Sequence, residues 1–121
     1  MSESKTFLAT FLGDGTGARR REWDALSDNE RRAREAQGMA AWKGWAERNQ
    51  DAIVELGGPL GKTKRVSGGG IEDVSNALAA FTVVRADSQE AAARLFEGHP
   101  HFTIFPGEAV EIMPILPVSG A

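Results

Sequence analysis

Leu78-Ala79-Ala80-Phe81-Thr82-Val83-Val84-Arg85-Ala86, followed at once by Asp87-Ser88-Gln89-Glu90-Ala91-Ala92-Ala93-Arg94-Leu95-Phe96-Glu97, is the stretch that decides the fold. Its first nine residues alternate with the period of a strand. Phe81 and Val83 fall on one face, and Ala80, Thr82 and Val84 on the other. Ser88 then offers a hydroxyl to the unpaired amides at a helix start. From Gln89 to Glu97 the apolar residues Ala91, Ala92, Leu95 and Phe96 gather on one side at helical spacing. Gly98-His99-Pro100 ends that helix.

Working outward, Thr6 to Leu12 reads as a first strand, apolar on both faces and therefore covered on both. Gly13-Asp14-Gly15-Thr16-Gly17 stops it. The charged stretch that follows, with Arg19-Arg20-Arg21, reads as a loop. Ser27-Asp28-Asn29-Glu30 has the spacing of a capping box, which starts a helix at about Asp28. The helix is expected to run to Leu56, with a kink or break near Gly38, and Gly57-Gly58-Pro59 is its stop. Lys62 to Ser67 is a short strand turned by Gly68-Gly69-Gly70. Ala109 to Leu116 is the last strand, and Pro114 restricts it to an edge or an end.

The order is β-α-β-β-α-β, so the expected fold is a ferredoxin-like α+β protomer with an antiparallel sheet. Two helices cover one sheet face. The other face also carries apolar residues, and its simplest cover is a second copy of the chain, which predicts a homodimer. At 121 residues the chain is one domain, 1–121, in which 13–38 form a charged loop leading into the first long helix.

Composition narrows the function. The absence of cysteine removes disulfides, thiol catalysis and thiolate metal sites. A net charge of −3 argues against nucleic acid as a partner. No apolar run approaches the roughly 20 residues of a membrane helix. Met1-Ser2-Glu3-Ser4-Lys5 lacks the basic start and apolar core of a secretion signal. The expectation is a cytoplasmic protein that binds neither membrane nor nucleic acid.

His99 and His101 are the two histidines, and an imidazole moves protons near neutrality. Two polar residues after a helix stop also serve commonly as backbone partners. As a metal site the pair lacks a third ligand at diagnostic spacing, and Pro100 restrains its convergence, so no metal is assigned. Trp42, Trp45, Asn49, Ile53 and Leu56 share one arc of a helical wheel. The tryptophans suit a core or a pocket wall, and Asn49 either a ligand or a backbone group. Arg65, beside Lys62 and Lys64, is a candidate for an anionic ligand, although charge protecting an edge strand is the commoner role. Gly57 to Thr63 imitates a P-loop, but Leu56 occupies its first glycine position. Gly13-x-Gly15-x-x-Ala18 imitates a dinucleotide fingerprint without the apolar helix that should follow.

Several pieces carry a family resemblance. They are Ala41-Trp42-Lys43-Gly44-Trp45, Gly57-Gly58-Pro59-Leu60-Gly61, Ala86-Asp87-Ser88 with Glu90-Ala91-Ala92, Gly98-His99-Pro100-His101 and Val110-Glu111-Ile112. In this order, between Leu26 and Val118, they resemble the YCII-related family, also called DGPF-domain proteins. The resemblance implies a dimeric α+β barrel of two ferredoxin-like units packed sheet to sheet. Its superfamily includes small monooxygenases, muconolactone isomerases and chlorolactone dehalogenases. The Asp-Gly-Pro-Phe signature is absent, with Glu72-Asp73-Val74-Ser75-Asn76 in its region. The helix histidine and pre-proline aspartate of one branch are absent too; the pre-proline residue here is His99. Only the site location at His99 carries over.

The expectation is a protein that binds a small organic molecule between sheet and helices. His99 is its candidate general acid or base, and Trp42, Trp45, Asn49, Arg65 and His101 are its candidate binding residues, without cofactor. The alternatives are a non-catalytic dimeric binding or regulatory module and a cofactor-free, monooxygenase-like enzyme.

Overall fold

The computed structural model describes residues 5–13 and 15–118. The N-terminal reading of Met1 to Ser4 and the turn residue Asp14 lie outside the described residues. The elements are β1 (Lys5–Leu12), α1 (Ala18–Asp24), α2 (Asp28–Arg48), β2 (Ile53–Pro59), β3 (Thr63–Ser67), β4 (Gly70–Val74), β5 (Leu78–Ala86), α3 (Gln89–Arg94), α4 (Pro100–Thr103) and β6 (Ala109–Pro114). The protein is α+β. Four strands form an antiparallel sheet in the order β2-β5-β1-β6, and β3 pairs with β4 in a separate hairpin. With the hairpin set aside, the first and third sheet strands are central and the second and fourth are edges. This order is compatible with a ferredoxin-like arrangement.

Register decides which residues form the core. Phe7, Ala9 and Phe11 of β1 stand opposite Val84, Thr82 and Ala80 of β5, and opposite Pro114, Ile112 and Val110 of β6. This inner face packs against Trp45 of α2 and against Ala92 and Phe96 in and just after α3. Full burial of a phenylalanine such as Phe7 or Phe11 stabilises by roughly 1.5–3 kcal/mol. Leu8, Phe81, Val83 and Met113 alternate onto the outer face, where the first three are half-buried and Met113 is exposed.

The local signals hold where they are strong. Ser27 and Glu30 form the capping box, with Glu30 N–H donating to Ser27 Oγ at 3.1 Å and Ser27 N–H to Glu30 Oε1 at 3.0 Å. Ser88 Oγ accepts the Ala91 amide at 3.1 Å. β5 matches its expected span, and β6 is an edge strand that ends at Pro114.

Six expectations are corrected. The charged stretch after Gly17 is not all loop, because α1 is anchored there by buried Trp23, whose ring lies 5.9 Å from that of Phe105. α2 runs unbroken through Gly38, where a Cβ would overlap the Phe105 ring, so this glycine is a packing site and not a break. α2 stops at Arg48 and not at Leu56. Asn49 is its C-cap, and β-branched Ile53 and Val54 open a strand. Gly57-Gly58-Pro59 lies in β2. Its register is broken between Glu55 and Gly58, with Gly57 at φ +68°, as a bulge with left-handed glycine requires. The second sheet strand is therefore β2, and the strand expected at Lys62 to Ser67 belongs to the hairpin. Finally, the helix expected over Gln89 to Glu97 is regular only to Arg94, and beyond its stop at Gly98, which has φ +69°, an unexpected one-turn α4 follows. No helix among the described residues is long and apolar enough to cross a membrane.

Candidate functional site

A cleft of about 750 Å³ opens between α2 and the β2–β5 side of the sheet. One wall is helical, because Met39, Trp42, Lys43, Ala46 and Glu47 recur at the three- and four-residue spacing that puts side chains on one face, and Gln50 extends it just past the helix end. Leu56 to Pro59 and Ala79 to Phe81 supply the sheet wall, and His101 and Phe105 close the end. The local sequence builds this geometry. The Gly57 bulge turns the end of β2, and only glycine fits there, since a Cβ would overlap the Phe81 carbonyl oxygen. Gly38 lets the Phe105 ring press against the α2 backbone, which sets Phe105 6.2 Å from Trp42. The lining is mostly apolar and its volume falls within the usual range for small-molecule sites.

His99 lies behind this cleft and is fully buried. It is the N-cap of α4, and its Nδ1 accepts the backbone N–H of His101 at 3.0 Å. In the neutral ring the proton is therefore on Nε2. That nitrogen is buried with no hydrogen-bond partner among the described residues. Phe11, Trp42, Trp45 and Phe96 surround the ring at centroid distances of 5.0, 4.5, 4.7 and 5.9 Å. Trp42 and Trp45 meet it edge to face, an arrangement in which an N–H can rest on a π-cloud. Burial, reinforced by the nearby His101, pushes the His99 pKa down to about 4. The ring is neutral at pH 7.

His101 is the imidazole that lines the cleft. Its Nε2 lies 2.8 Å from the Leu12 carbonyl oxygen. A carbonyl only accepts, so Nε2 carries the proton and Nδ1 of the neutral ring keeps a lone pair. Nδ1 makes no hydrogen bond among the described residues. Burial pushes this pKa down as well. The Leu12 carbonyl opposes that shift, and the Arg19 charge adds to it. Gly107 backs the ring so closely that a Cβ there would overlap it.

The structure brings together two of the six candidate residues, Trp42 and His101, in the cleft. Trp45 belongs to the core, with its indole N–H donating to the Leu95 carbonyl at 2.7 Å. Asn49 donates its side-chain amide to the Trp45 carbonyl at 2.8 Å and so finishes α2. Arg65 pairs across the hairpin with Glu72 at 3.2 Å, and no residue of the hairpin lines the cleft. Sequence reasoning missed Met39, Ala46, Gln50 and Phe105. The signal for the first three was the stripe through Trp42, obscured by extending the helical wheel to Leu56, which lies beyond the helix end. Among the described residues no three metal-binding side chains come together. Comparison with protein-family models and with curated proteins finds no match to this chain.

Proposed function

We propose that this chain is a YCII-related, cytoplasmic protein that binds a small organic molecule in the cleft between α2 and the β2–β5 side of the sheet, and that it works as a homodimer. The observation that carries the reading is the cleft itself, with its apolar walls and one imidazole at its end. The family resemblance between Leu26 and Val118 and the β2-β5-β1-β6 order support the dimeric barrel. So does the outer sheet face, where Leu8, Phe81 and Val83 are half-buried and Met113 is 40% exposed, leaving an apolar surface for a second sheet to cover.

If the bound molecule is transformed, His101 is the group that moves the proton. It faces the cleft, is neutral at pH 7 and holds a basic Nδ1. His99, the residue first favoured for that role, supports it from behind. A second reading, a binding module without turnover, is favoured by one observation. Lys43 and Glu47, the other titratable residues of the lining, are solvent-exposed, so among the described residues the cleft holds no second buried acid or base.

A native mass spectrum of gently purified protein tests the reading. The expected species is a dimer carrying a low-mass adduct that denaturation releases. A bare protein whose Trp42 fluorescence also ignores a panel of aromatic and alicyclic compounds would contradict it.

A further inference from the structure

We infer that the cleft selects a neutral, largely apolar ligand whose polar end is a hydrogen-bond donor, a hydroxyl or an N–H, given to Nδ1 of His101. The inference rests on the small-molecule reading above and adds the chemical class. The Leu12 carbonyl fixes the Nε2–H tautomer from the backbone, at 2.8 Å. The ring cannot readily turn over to exchange its nitrogens. Gly107 is pressed against it, and Phe11 and Trp42 meet it edge to face at centroid distances of 5.3 and 6.4 Å. Nδ1 of His101, on a buried residue that lines the cleft and without a partner among the described residues, is thus an acceptor, and an acceptor calls for a donor.

The rest of the lining points away from anions. The Gly57 amide, on the sheet wall, already donates to Glu55 Oε1 at 3.2 Å, and the Leu60 amide donates to the Ala79 carbonyl at 2.9 Å. The lone cationic side chain among the described lining residues, Lys43, is exposed and stands one helical turn from Glu47, so their charges balance at the rim. A carboxylate in this cleft would meet the His101 lone pair with no buried cation among the described lining residues to offset its lost hydration. Trp42 and Phe105, 6.2 Å apart between ring centroids, together with Met39 and Leu56, suit a flat hydrocarbon body.

Three probes of one shape test this on the full-length wild-type protein: 2-naphthol, 2-methoxynaphthalene and 2-naphthoate. Calorimetric titration is expected to rank naphthol first, by about tenfold over the ether, as one buried hydrogen bond allows. Naphthoate should be weakest. In a ¹⁵N-histidine spectrum naphthol should shift the His101 Nδ1 resonance, and the ether should not. His101→Phe should bind naphthol and ether equally. If ether and naphthol bind wild type alike, or naphthoate binds tightest, the donor inference fails and the cleft reading stands. If none of the three binds, both fail.

Discussion

The backbone N–H of His101 donates to Nδ1 of His99 at 3.0 Å, and this bond divides the work of the two imidazoles. His99 spends its lone pair on starting α4, the single turn that carries His101. His101, which lines the cleft, keeps its own lone pair on Nδ1. Two histidines separated by one proline thus take different roles, one holding the other in place.

Removing the holder should loosen the held. His99→Ala loses the cap acceptor and empties a fully buried site, at an expected cost of about 3 kcal/mol. His99→Asn keeps a cap oxygen for the His101 amide and should recover about 1 kcal/mol of that loss. Urea unfolding of the two variants beside wild type measures both. Equal stability of Asn and Ala variants would show that the cap contributes nothing.

The burial of His99 also sets an acid limit. Its pKa is about 4 when folded and near 6.5 when exposed, so unfolding takes up a proton between those values. Stability from this group is complete above pH 6.5 and is lost as pH falls toward 4. The expected loss is about 2 kcal/mol by pH 5 and about 3 kcal/mol by pH 4. His101, shifted the same way, adds to it. Unfolding curves at pH 7 and pH 5 should separate for wild type, and separate less for His99→Asn.

Gly57 tests how the sheet wall of the cleft is made. Its φ of +68° and the overlap that a Cβ would make with the Phe81 carbonyl leave no room for alanine. Gly57→Ala should cost about 2 kcal/mol or more and lower thermal stability accordingly. Gly58→Ala meets nothing within 4 Å and serves as the control. A harmless Gly57→Ala would mean that β2 does not bulge there.

The outer face tests the dimer. Val83 lies opposite Leu8 in the middle of the sheet, and its substitution by lysine puts a charge at the centre of the proposed interface. Sedimentation should find wild type as a dimer and Val83→Lys as a folded monomer. A wild-type monomer would remove the barrel.

Much of the frame was legible because its causes are local. The Ser27–Glu30 box, the Ser88 cap, the apolar run of β1 and the alternation in β5 each lie within a few residues of what they control. The end of α2 was not legible in the same way. Ile53 and Leu56 follow Trp42, Trp45 and Asn49 at spacings that suit a helix, yet the chain leaves the helix at Asn49, where a side-chain amide replaces the next turn. Trp23 was the unused sign that the arginine-rich segment has a buried side. At the site, Trp42 and His101 were within reach of sequence reasoning. Phe105 against Gly38 was not, because their contact exists only after α2 and the segment following α4 have met.

The most direct test of the cleft is a map of amide and indole chemical shifts during a 2-naphthol titration. The account predicts changes concentrated at the Trp42 indole, Ala46, Leu56 and Phe105, with the Arg65 hairpin and the outer-face residues Leu8 and Met113 still. Shifts confined to the hairpin or the outer face, or no shifts at saturating probe, would contradict it.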